Sequence, residues 1–384
     1  MREYEKTHPW ISFEIDLRKL DWKVWHLFGE AKAKCEAIQV LPQLPEVGQQ
    51  MRQLYLIKGI QGTTAIEGNT LTEAEIKKVL DGELKLPKSI HYQGQEIQNI
   101  VDSFNEIGEY LSSKPDEHWY ISVQDLMRFN RKILEGLPVE EEVIPGKIRQ
   151  YSVGVLRYRA APWNDCQYLL ERLCQWLKEI NQSSGDLGRT TVALLRAILA
   201  HLYLAWIHPF GDGNGRTARL IELQILLDSK MPSAAAHLLS NHYNKTRMMY
   251  YKKLDEVGKN GGDVGPFIEY ALQGFVDGLD EQIEYITEQQ ARMVWENYIY
   301  EKYRGKGPTQ KRQRNLLLEL TKIGKPVKFT DIPSVSARVA RMYKDLTQKA
   351  IRRDVNSLEK ENLLILEYGK YRPNLKILRM YFPG

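Results

Sequence analysis

Residues 208–219 read His-Pro-Phe-Gly-Asp-Gly-Asn-Gly-Arg-Thr-Ala-Arg, and this stretch decides what fold and what chemistry the chain can carry. It combines a histidine base, a carboxylate, a glycine-rich turn and two arginines. Apolar residues recur at helical spacing before it, over residues 192–206, and after it, over residues 220–227. The sequence therefore predicts two buried helices joined by a loop, the second beginning near Gly215.

The start of the second helix is a predicted phosphate site. Gly213, Asn214 and Gly215 lie where unpaired N–H groups and the helix dipole favour an anion. Glycine lets the backbone approach that anion without a side chain in the way. His208 is suited to accept a proton from an attacking hydroxyl, because an ordinary imidazole titrates near neutrality. The stretch is interpreted as an active site for a nucleoside triphosphate.

The stretch resembles, position for position, the signature of the Fic family: His-Pro-Phe, any residue, Asp or Glu, Gly-Asn-Gly-Arg, two further residues and Arg. A glycine-rich turn between core helices would not need His208, Asp212, Arg216 and Arg219 together. Fic enzymes mostly transfer AMP from ATP to a protein hydroxyl and release pyrophosphate. The resemblance implies a mainly α fold, a Fic helical bundle with a β-hairpin flap, acting on ATP and on a protein target or on itself.

The resemblance also implies a role for each polar residue of the stretch. His208 becomes the general base, and Asp212 holds Mg²⁺ against the α- and β-phosphates. The amides of residues 213–215 stabilise charge on the phosphoryl oxygens, and Asn214 shapes the anion pocket. Arg216 faces the α- and β-phosphates and Arg219 the γ-phosphate. Farther along the chain, Tyr251 falls where family members carry a tyrosine near the adenine.

A second motif concerns regulation. Residues 63–69 read Thr-Thr-Ala-Ile-Glu-Gly-Asn and resemble the inhibitory helix motif of Fic proteins, which implies an inhibitory role for Thr63 and Glu67. Glu67 is expected at the end of a short helix, with Gly68 as its C-cap. In that role Glu67 pairs with Arg219 and displaces the γ-phosphate, so that bound ATP hides its α-phosphate from attack.

A third match is to the flap. Residues 146–149 read Gly-Lys-Ile-Arg, and the alternation of Tyr151, Val153 and Val155 predicts a strand. The segment is similar to the Fic flap, a hairpin whose exposed edge can align a peptide by backbone hydrogen bonds. An ordinary edge hairpin has the same pattern.

Composition is that of a globular chain with two or three domains. Of the 384 residues, 43% are hydrophobic and 27% are charged. The most apolar stretch, residues 194–207, is interrupted by Arg196 and His201, so no transmembrane helix and no membrane partner is expected. The cysteines are Cys35, Cys166 and Cys174. They form no CxxC pair, and their odd number favours a reducing, cytoplasmic environment.

The net charge of +5 conceals a division along the chain. Residues 301–384 hold 20 Lys and Arg against 8 Asp and Glu, a net of +12, while residues 1–300 hold 34 against 41, a net of −7. We expect three regions: an N-terminal helical region over 1–100 with the inhibitory helix at about 58–68, a Fic catalytic domain over 101–300, and a basic module over 301–384. The last junction is expected near the Gly-Lys-Gly-Pro stretch at 305–308.

The basic module resembles a winged helix. The predicted helices and strands are Arg314–Leu320, Val335–Tyr343, Thr347–Lys360, Leu363–Glu367 and Leu375–Tyr381. Lys349, Arg352 and Arg353 could lie in a major groove, with Lys370 and Arg372 reaching phosphates. Winged helices also dock proteins or form homodimers, so DNA and protein both stay open as partners.

Two alternatives to AMP transfer also stay open. A Fic relative can transfer UMP or phosphocholine, or remove AMP, and the sequence does not show the base pocket. The chain could instead be a DNA-binding regulator whose Fic fold senses a nucleotide. The intact His208 argues against the sensor, because a sensor needs no base.

Overall fold

The computed structural model describes residues 2–42, 45–114, 118–155, 158–183 and 187–380. Contacts divide the chain into two units, Met1–Ile283 and Glu284–Gly384. This boundary falls inside a helix and not at the glycine-rich stretch 305–308, and the first unit includes both of the regions expected over 1–100 and 101–300 up to Ile283. The contacts therefore give two units, where the sequence suggests three regions.

The first unit is built almost entirely from helices, which confirms the prediction of a mainly α fold. Its helices are α1 (Glu3–Thr7), α2 (Trp22–Val40), α3 (Pro45–Ala65), α4 (Glu73–Leu80), α5 (His91–Ser113), α6 (Val123–Ile133), α7 (Cys166–Ser183), α8 (Arg189–Ile207), α9 (Asn214–Asp228), α10 (Leu238–Lys245), α11 (Arg247–Lys259) and α12 (Gly265–Lys302), the last of which continues into the second unit. Short 3₁₀ turns are Leu17–Lys19, Lys88–Ile90, Trp163–Asp165 and Ala235–His237. Cys35, Cys166 and Cys174 are free thiols.

Helix α8 is the central core helix of this unit. Almost every side chain from Thr191 to Ile207 is buried, because the helix is apolar on all sides and packs between α2, α7 and α9. By length and composition it could cross a membrane, but 89% of that apolar window is buried inside the fold. The last helical residue is Ile207, and the predicted catalytic loop begins at the C-cap residue, His208.

Helix α3 corrects the prediction of a short inhibitory helix over about 58–68. The helix begins at Pro45 and ends at Ala65, and Glu67 lies in the turn beyond it. Gly68 has φ of +105°, and the Asn69 amide donates to the Thr64 carbonyl at 3.2 Å. This is a Schellman-type reversal, which satisfies carbonyls of the last turn and stops the helix two residues before Glu67.

The predicted flap is a short hairpin. Strands β1 (Gly154–Val155) and β2 (Tyr158–Arg159) pair antiparallel, with Gly154 opposite Arg159. The predicted strand was to begin at Tyr151, but residues 151–153 are not in it, because the Arg149 guanidinium binds the carbonyl of Tyr151 at 2.6 Å and draws the chain toward the catalytic loop. The tip, residues 156–157, and the side chain of Val155 lie outside the described parts of the chain.

The second unit contains helices and a hairpin in the predicted order. Its elements after α12 are α13 (Pro308–Ile323), a 3₁₀ segment Phe329–Ser334, α14 (Ala337–Tyr343), α15 (Gln348–Lys360), β3 (Leu364–Glu367), β4 (Lys370–Pro373) and a 3₁₀ segment Leu375–Met380. Helix α13 is longer than predicted, because Pro308 begins it and Gly324 caps it in the left-handed conformation.

The return strand of this hairpin was predicted wrongly at Leu375–Tyr381. Tyr368 and Gly369 both have positive φ, as in a two-residue type I′ turn, so the chain returns at once and pairs Lys370 with Glu367. Pro373 ends the strand because it has no amide to donate. The following residues form a 3₁₀ turn instead, and Tyr381 lies outside the described residues.

Candidate active site

The loop between α8 and α9 is held by its own side chains. His208 ends α8 in the left-handed conformation, with φ of +47°, and turns the chain away from the helix axis. Asn214 then clamps the loop, since its side chain accepts from the Phe210 amide and donates to the Phe210 carbonyl, both at 2.9 Å. Asn214 therefore shapes the anion site by fixing the backbone around it.

The side chain of Asn130, on α6, makes hydrogen bonds that fix the backbone of the loop. Its amide donates to the Asp212 carbonyl at 2.8 Å and accepts from the Gly146 amide at 2.9 Å. A Cβ on Gly213 would lie 3.0 Å from the Asn130 amide nitrogen, and Gly213 has φ of +77°. Glycine is required here by both the conformation and the close approach.

The start of α9 presents free amides, as predicted. The first bond of the helix runs from the Thr217 amide to the Gly213 carbonyl at 2.9 Å, so the amides of Asn214, Gly215 and Arg216 precede the helical ladder. The Gly213 amide, also predicted to face phosphate, donates instead to Asp212 Oδ1 at 2.5 Å. The available anion site is thus the first turn of α9.

Arg216 is paired with a carboxylate that no motif indicated. Its Nη1 donates to Glu96 Oε1 of α5 at 2.8 Å, and its Nη2 lies 3.3 Å from Asp212 Oδ1. The other oxygen of Glu96 accepts from Asn69 at 2.9 Å. Burial raises the pKa of Glu96 more than Arg216 lowers it. One buried carboxylate therefore connects Arg216 with the turn that carries Glu67.

Arg219 contacts the end of α3 directly. Its Nη2 donates to Glu67 Oε1 at 2.6 Å and to the Thr63 carbonyl at 2.9 Å. The Arg219 side chain is 1% exposed and the Glu67 side chain 31%. Thr63 thus contributes its backbone oxygen and not its hydroxyl to this contact. The structure brings the two predicted inhibitory residues to the predicted arginine.

The Glu67 carboxylate lies against the start of α9. A Cβ on Gly215 would be 2.4 Å from Glu67 Oε1, so the absence of a side chain at Gly215 makes room for the carboxylate. Burial would raise the pKa of Glu67, but Arg219 and Arg216 outweigh it and hold the pKa below its usual value. An ionised carboxylate at a helix start is favoured by the dipole, as a phosphate would be.

His208 is neutral at physiological pH. Burial lowers its pKa to about 4, although a backbone hydrogen bond at Ala205 and the charges of Glu67 and Asp212 oppose that shift. A neutral imidazole that donates one N–H to a backbone carbonyl keeps its other nitrogen free to accept a proton. The half-buried ring is therefore unprotonated and can accept a proton, although its pKa lies below the near-neutral value that the sequence led us to expect.

The low pKa of His208 leads to a pH prediction. In a Glu67→Gly variant, kcat/KM for transfer should stay level from pH 7 down to pH 5, because the neutral base persists until about pH 4, against an ordinary value of 6.5. Removing the Glu67 charge lowers this pKa further. Label transfer is measured at each pH, with circular dichroism to verify the fold. Half-loss of kcat/KM near pH 6.5 would contradict the assignment.

Arg149 holds the catalytic loop and the flap in place through backbone carbonyls, a role that no motif in the sequence indicated. Its buried guanidinium donates to carbonyls of His208, Tyr151, Ala161 and Ile207 at 2.7, 2.6, 2.5 and 3.3 Å. It places a cation at the carbonyl end of α8 and connects that end with the flap. Its place in the sequence, after a glycine turn just before the flap, was the available signal.

Asp212 fits a magnesium ion as its one carboxylate ligand. Its side chain is 46% exposed at the mouth of the loop. In the described residues no group of three or more His, Cys, Asp or Glu side chains could hold a metal. Mg²⁺ commonly binds through one or two carboxylates and completes its shell with phosphate oxygens and water, so Asp212 suffices for the protein's share.

Tyr251 lies among aromatic and basic side chains of α11. Its half-buried ring lies 5.3 Å from the Tyr250 ring, and the Arg247 guanidinium is 5.8 Å from its centroid. Arg247 also donates to the Ala65 carbonyl at 3.4 Å. The structure thus places Tyr251 beside a residue that touches the end of α3, and its role at the adenine stays a prediction.

The site thus brings together a proton acceptor, the free amides of a helix start and a carboxylate beside them, within a helical fold. Residues 120–226 match the family model described as Fic/DOC family, the family whose signature residues 208–219 resemble. The matched residues include β1, β2 and the loop after α8, whereas Glu67 lies outside them.

Solved structures share the fold. A Fic family protein from Desulfovibrio desulfuricans G20 aligns with a TM-score of 0.56 and 21% identity over 92% of this chain and 97% of that one. Fic-1 from Caenorhabditis elegans aligns with a TM-score of 0.55 and 23% identity over 70% of this chain and 73% of that one. These likenesses concern the fold alone.

The names of curated relatives state an activity for those proteins. Protein adenylyltransferase fic-1 from Caenorhabditis briggsae is 33% identical over 228 residues, 58% of this chain and 40% of that protein. Its namesake from Caenorhabditis elegans is 32% identical over 225 residues, with the same shares of 58% and 40%. The chain therefore matches less than half the length of these relatives.

Proposed function

We propose that the protein is a Fic-type nucleotidyltransferase that transfers AMP from ATP to a Ser, Thr or Tyr hydroxyl of a target protein, with self-modification as a special case. The names of the curated relatives support AMP transfer. The observation that carries the proposal is the loop geometry: Asn214 binds the backbone of Phe210, so His208 and the free amides at the start of α9 lie on one short, fixed segment. One group accepts a proton, and the other binds the phosphates of the nucleotide.

The reaction uses the loop residues in one step. The target hydroxyl oxygen attacks the α-phosphorus of ATP, the bond to the bridging oxygen of the β-phosphate breaks, and pyrophosphate leaves. His208 accepts the hydroxyl proton. The amides at the start of α9 and the Arg216 guanidinium stabilise charge on the phosphoryl oxygens. Asp212 would hold Mg²⁺, which neutralises phosphate charge when it is bound.

Autoinhibition by Glu67 belongs to the same proposal. The Glu67 carboxylate lies against the first turn of α9 and forms an ion pair with Arg219, the arginine assigned to the γ-phosphate. An anion already in that place competes with the triphosphate, so ATP binds in an unproductive pose. The competition requires both the negative charge of Glu67 and its position where the γ-phosphate is expected.

The decisive experiment uses ATP labelled on the α-phosphate and, separately, on the γ-phosphate. The Glu67→Gly variant is incubated with cell extract, and every labelled protein, itself included, is identified by mass spectrometry. AMP transfer labels proteins from the α-position alone. Label from the γ-position, or loss of AMP from a modified protein, would replace the proposal with phosphoryl transfer or AMP removal. UTP and CDP-choline in parallel test the other transferred groups.

For the second unit we propose a winged helix that binds duplex DNA. Lys349, Arg352 and Arg353 are exposed on one side of α15, and Arg352 stacks on the Phe329 ring at 3.7 Å. Arg372, expected to reach phosphate, is instead committed to Glu367 through bonds of 2.7 and 2.6 Å. The basic face of α15 is therefore the part that would meet the phosphates.

Salt dependence tests this proposal. Affinity for a duplex should fall steeply as salt rises, and each of Lys349→Gln, Arg352→Gln and Arg353→Gln should flatten the slope of log K against log salt by about one unit. Fluorescence anisotropy with a labelled duplex measures the slope. Lys360→Gln, at the far end of α15, is the matched control. No binding at low salt would indicate a protein-docking or dimerisation module instead.

A further inference from the structure

Helices α8 to α11 enclose a cluster of buried polar side chains that the proposed reaction does not use. His201 of α8 faces Glu222 of α9, with Nδ1 and Oε2 3.3 Å apart. The other oxygen of Glu222 accepts from the Tyr243 hydroxyl at 2.9 Å. His201 Nε2 lies 2.8 Å from the Tyr250 hydroxyl. All four side chains are buried, so this carboxylate is kept in the core at a real desolvation cost.

Glu222 is close to Arg219 by its position on the helix. It follows Arg219 by three residues on α9, which places both side chains on one face. Burial would lower the pKa of Arg219, but Glu67 and, to a smaller extent, Glu222 keep it raised. Burial raises the pKa of the Tyr250 hydroxyl, and the positive charge of Arg219 opposes that shift.

Arg219 is incompletely paired by its contacts with α3. Only its Nη2 makes hydrogen bonds, to Glu67 and Thr63. Its Nε and Nη1 are buried and have no hydrogen-bond partner among the described residues. A Cβ on Gly215 would be 3.0 Å from Nη1, so this nitrogen faces the first turn of α9, where phosphate is expected. Arg219 thus reaches toward the nucleotide site with Glu67 beside it, and Glu222 follows it by three residues on the same helix.

The two carboxylates differ in how they are held. Glu67 comes from a turn after α3 and is 31% exposed, so it can leave. Glu222 is on the helix of Arg219, and its Oε1 accepts from the buried Tyr243 hydroxyl, so it stays. An arginine with no counter-charge in the core would be costly, and it would bind an incoming phosphate tightly to regain one.

We propose that Glu222 is a resident counter-charge of Arg219 that lowers the affinity of Arg219 for the terminal phosphate of the nucleotide. It is a positioning residue, because it acts through Arg219 and does not touch the nucleotide. The inference rests on the proposed function in one respect, the assignment of the γ-phosphate to Arg219. With Glu222 present, Arg219 keeps one counter-charge when Glu67 withdraws, and pyrophosphate can leave after transfer.

The test compares Glu67→Gly with Glu67→Gly/Glu222→Gln. Isothermal titration calorimetry gives the dissociation constants for ATP and for AMP. Neutralising Glu222 should tighten ATP binding about tenfold and change AMP binding less than twofold, because AMP has no phosphate at Arg219. Gln224→Met, a buried change two residues along α9, is the matched control and should leave the ratio of the two constants unchanged.

The sign of the effect separates this role from a packing role. A merely structural Glu222 would weaken both nucleotides when it is replaced, and an unchanged or weakened ATP affinity overturns the proposal. Folding of Glu222→Gln with Glu67 present but not with Glu67→Gly would support it, since Arg219 then lacks both counter-charges. Failure to fold in both backgrounds would mark Glu222 as a packing residue. Glu67→Gly protein that binds ATP no better than ADP would instead refute the γ-phosphate assignment itself.

Discussion

Replacing His208 by alanine should abolish AMP transfer and leave the affinity for ATP within a few-fold of the parent. The base acts on the nucleophile and not on the nucleotide, so its loss raises the barrier without weakening binding. General base catalysis contributes about 10²–10⁴-fold, which takes a slow reaction below detection in a labelling assay. The substitution is made in the Glu67→Gly background, where the parent activity is expected to be measurable.

The matched variant for this measurement is Asp212→Ala on the same loop. It should lose Mg²⁺ dependence and productive ATP binding together, because Asp212 acts on the nucleotide side of the reaction. Calorimetry with ATP and label transfer to a confirmed target distinguish the two variants. Undiminished transfer by His208→Ala would refute the general-base assignment, whatever the behaviour of Asp212→Ala.

Glu67→Gly should raise AMP transfer by about a hundredfold over a nearly silent wild type. A hundredfold gain corresponds to roughly 2.7 kcal/mol. Exposed ion pairs are worth only ~0–1 kcal/mol, so a gain of that size needs a sheltered pair. Arg219 is 1% exposed and donates to Glu67 at 2.6 Å, and the carboxylate also lies against the first turn of α9. The pair therefore meets the requirement for a large effect.

Arg219→Ala is the comparison that tests the pairing. It removes the inhibitory partner and the γ-phosphate ligand at once, so it should be less active than Glu67→Gly, and adding Glu67→Gly to it should restore little. Initial rates of label transfer to a confirmed target measure all four proteins. Equal rates for wild type and Glu67→Gly would show that this glutamate is only a residue beyond a helix end.

Much of the site could be predicted from the sequence because its members lie close together along the chain. Two helices flank the loop at residues 208–213, and the second begins at Asn214, one residue before the predicted start. The contact between Glu67 and Arg219 spans 152 residues, and only the resemblance to a known family made it predictable. Spacing alone does not bring distant segments together.

The residues that prediction missed are partners without a motif. Glu96, Asn130 and Arg149 reach the loop from other elements, and each lies in a stretch whose pattern is that of an ordinary helix or turn. In the sequence, a buried polar side chain such as Glu222 has the same pattern as one on the solvent-exposed side of a helix. Such residues are identified by the partner that offsets their desolvation in the folded protein. That partner is distant in the sequence, so no local pattern contains it.

The position of Glu67 in a turn, two residues beyond α3, has a consequence for how inhibition can be relieved. The backbone of that turn is fixed by the Asn69 and Gly68 amides, so the carboxylate can leave Arg219 by rotation about side-chain bonds alone. Rotations of exposed side chains take picoseconds to nanoseconds, and this one also requires the sheltered ion pair to break. Under the proposed autoinhibition, Glu67 would act as a tethered ligand with a high effective concentration, and the active fraction would be set by its equilibrium with free nucleotide.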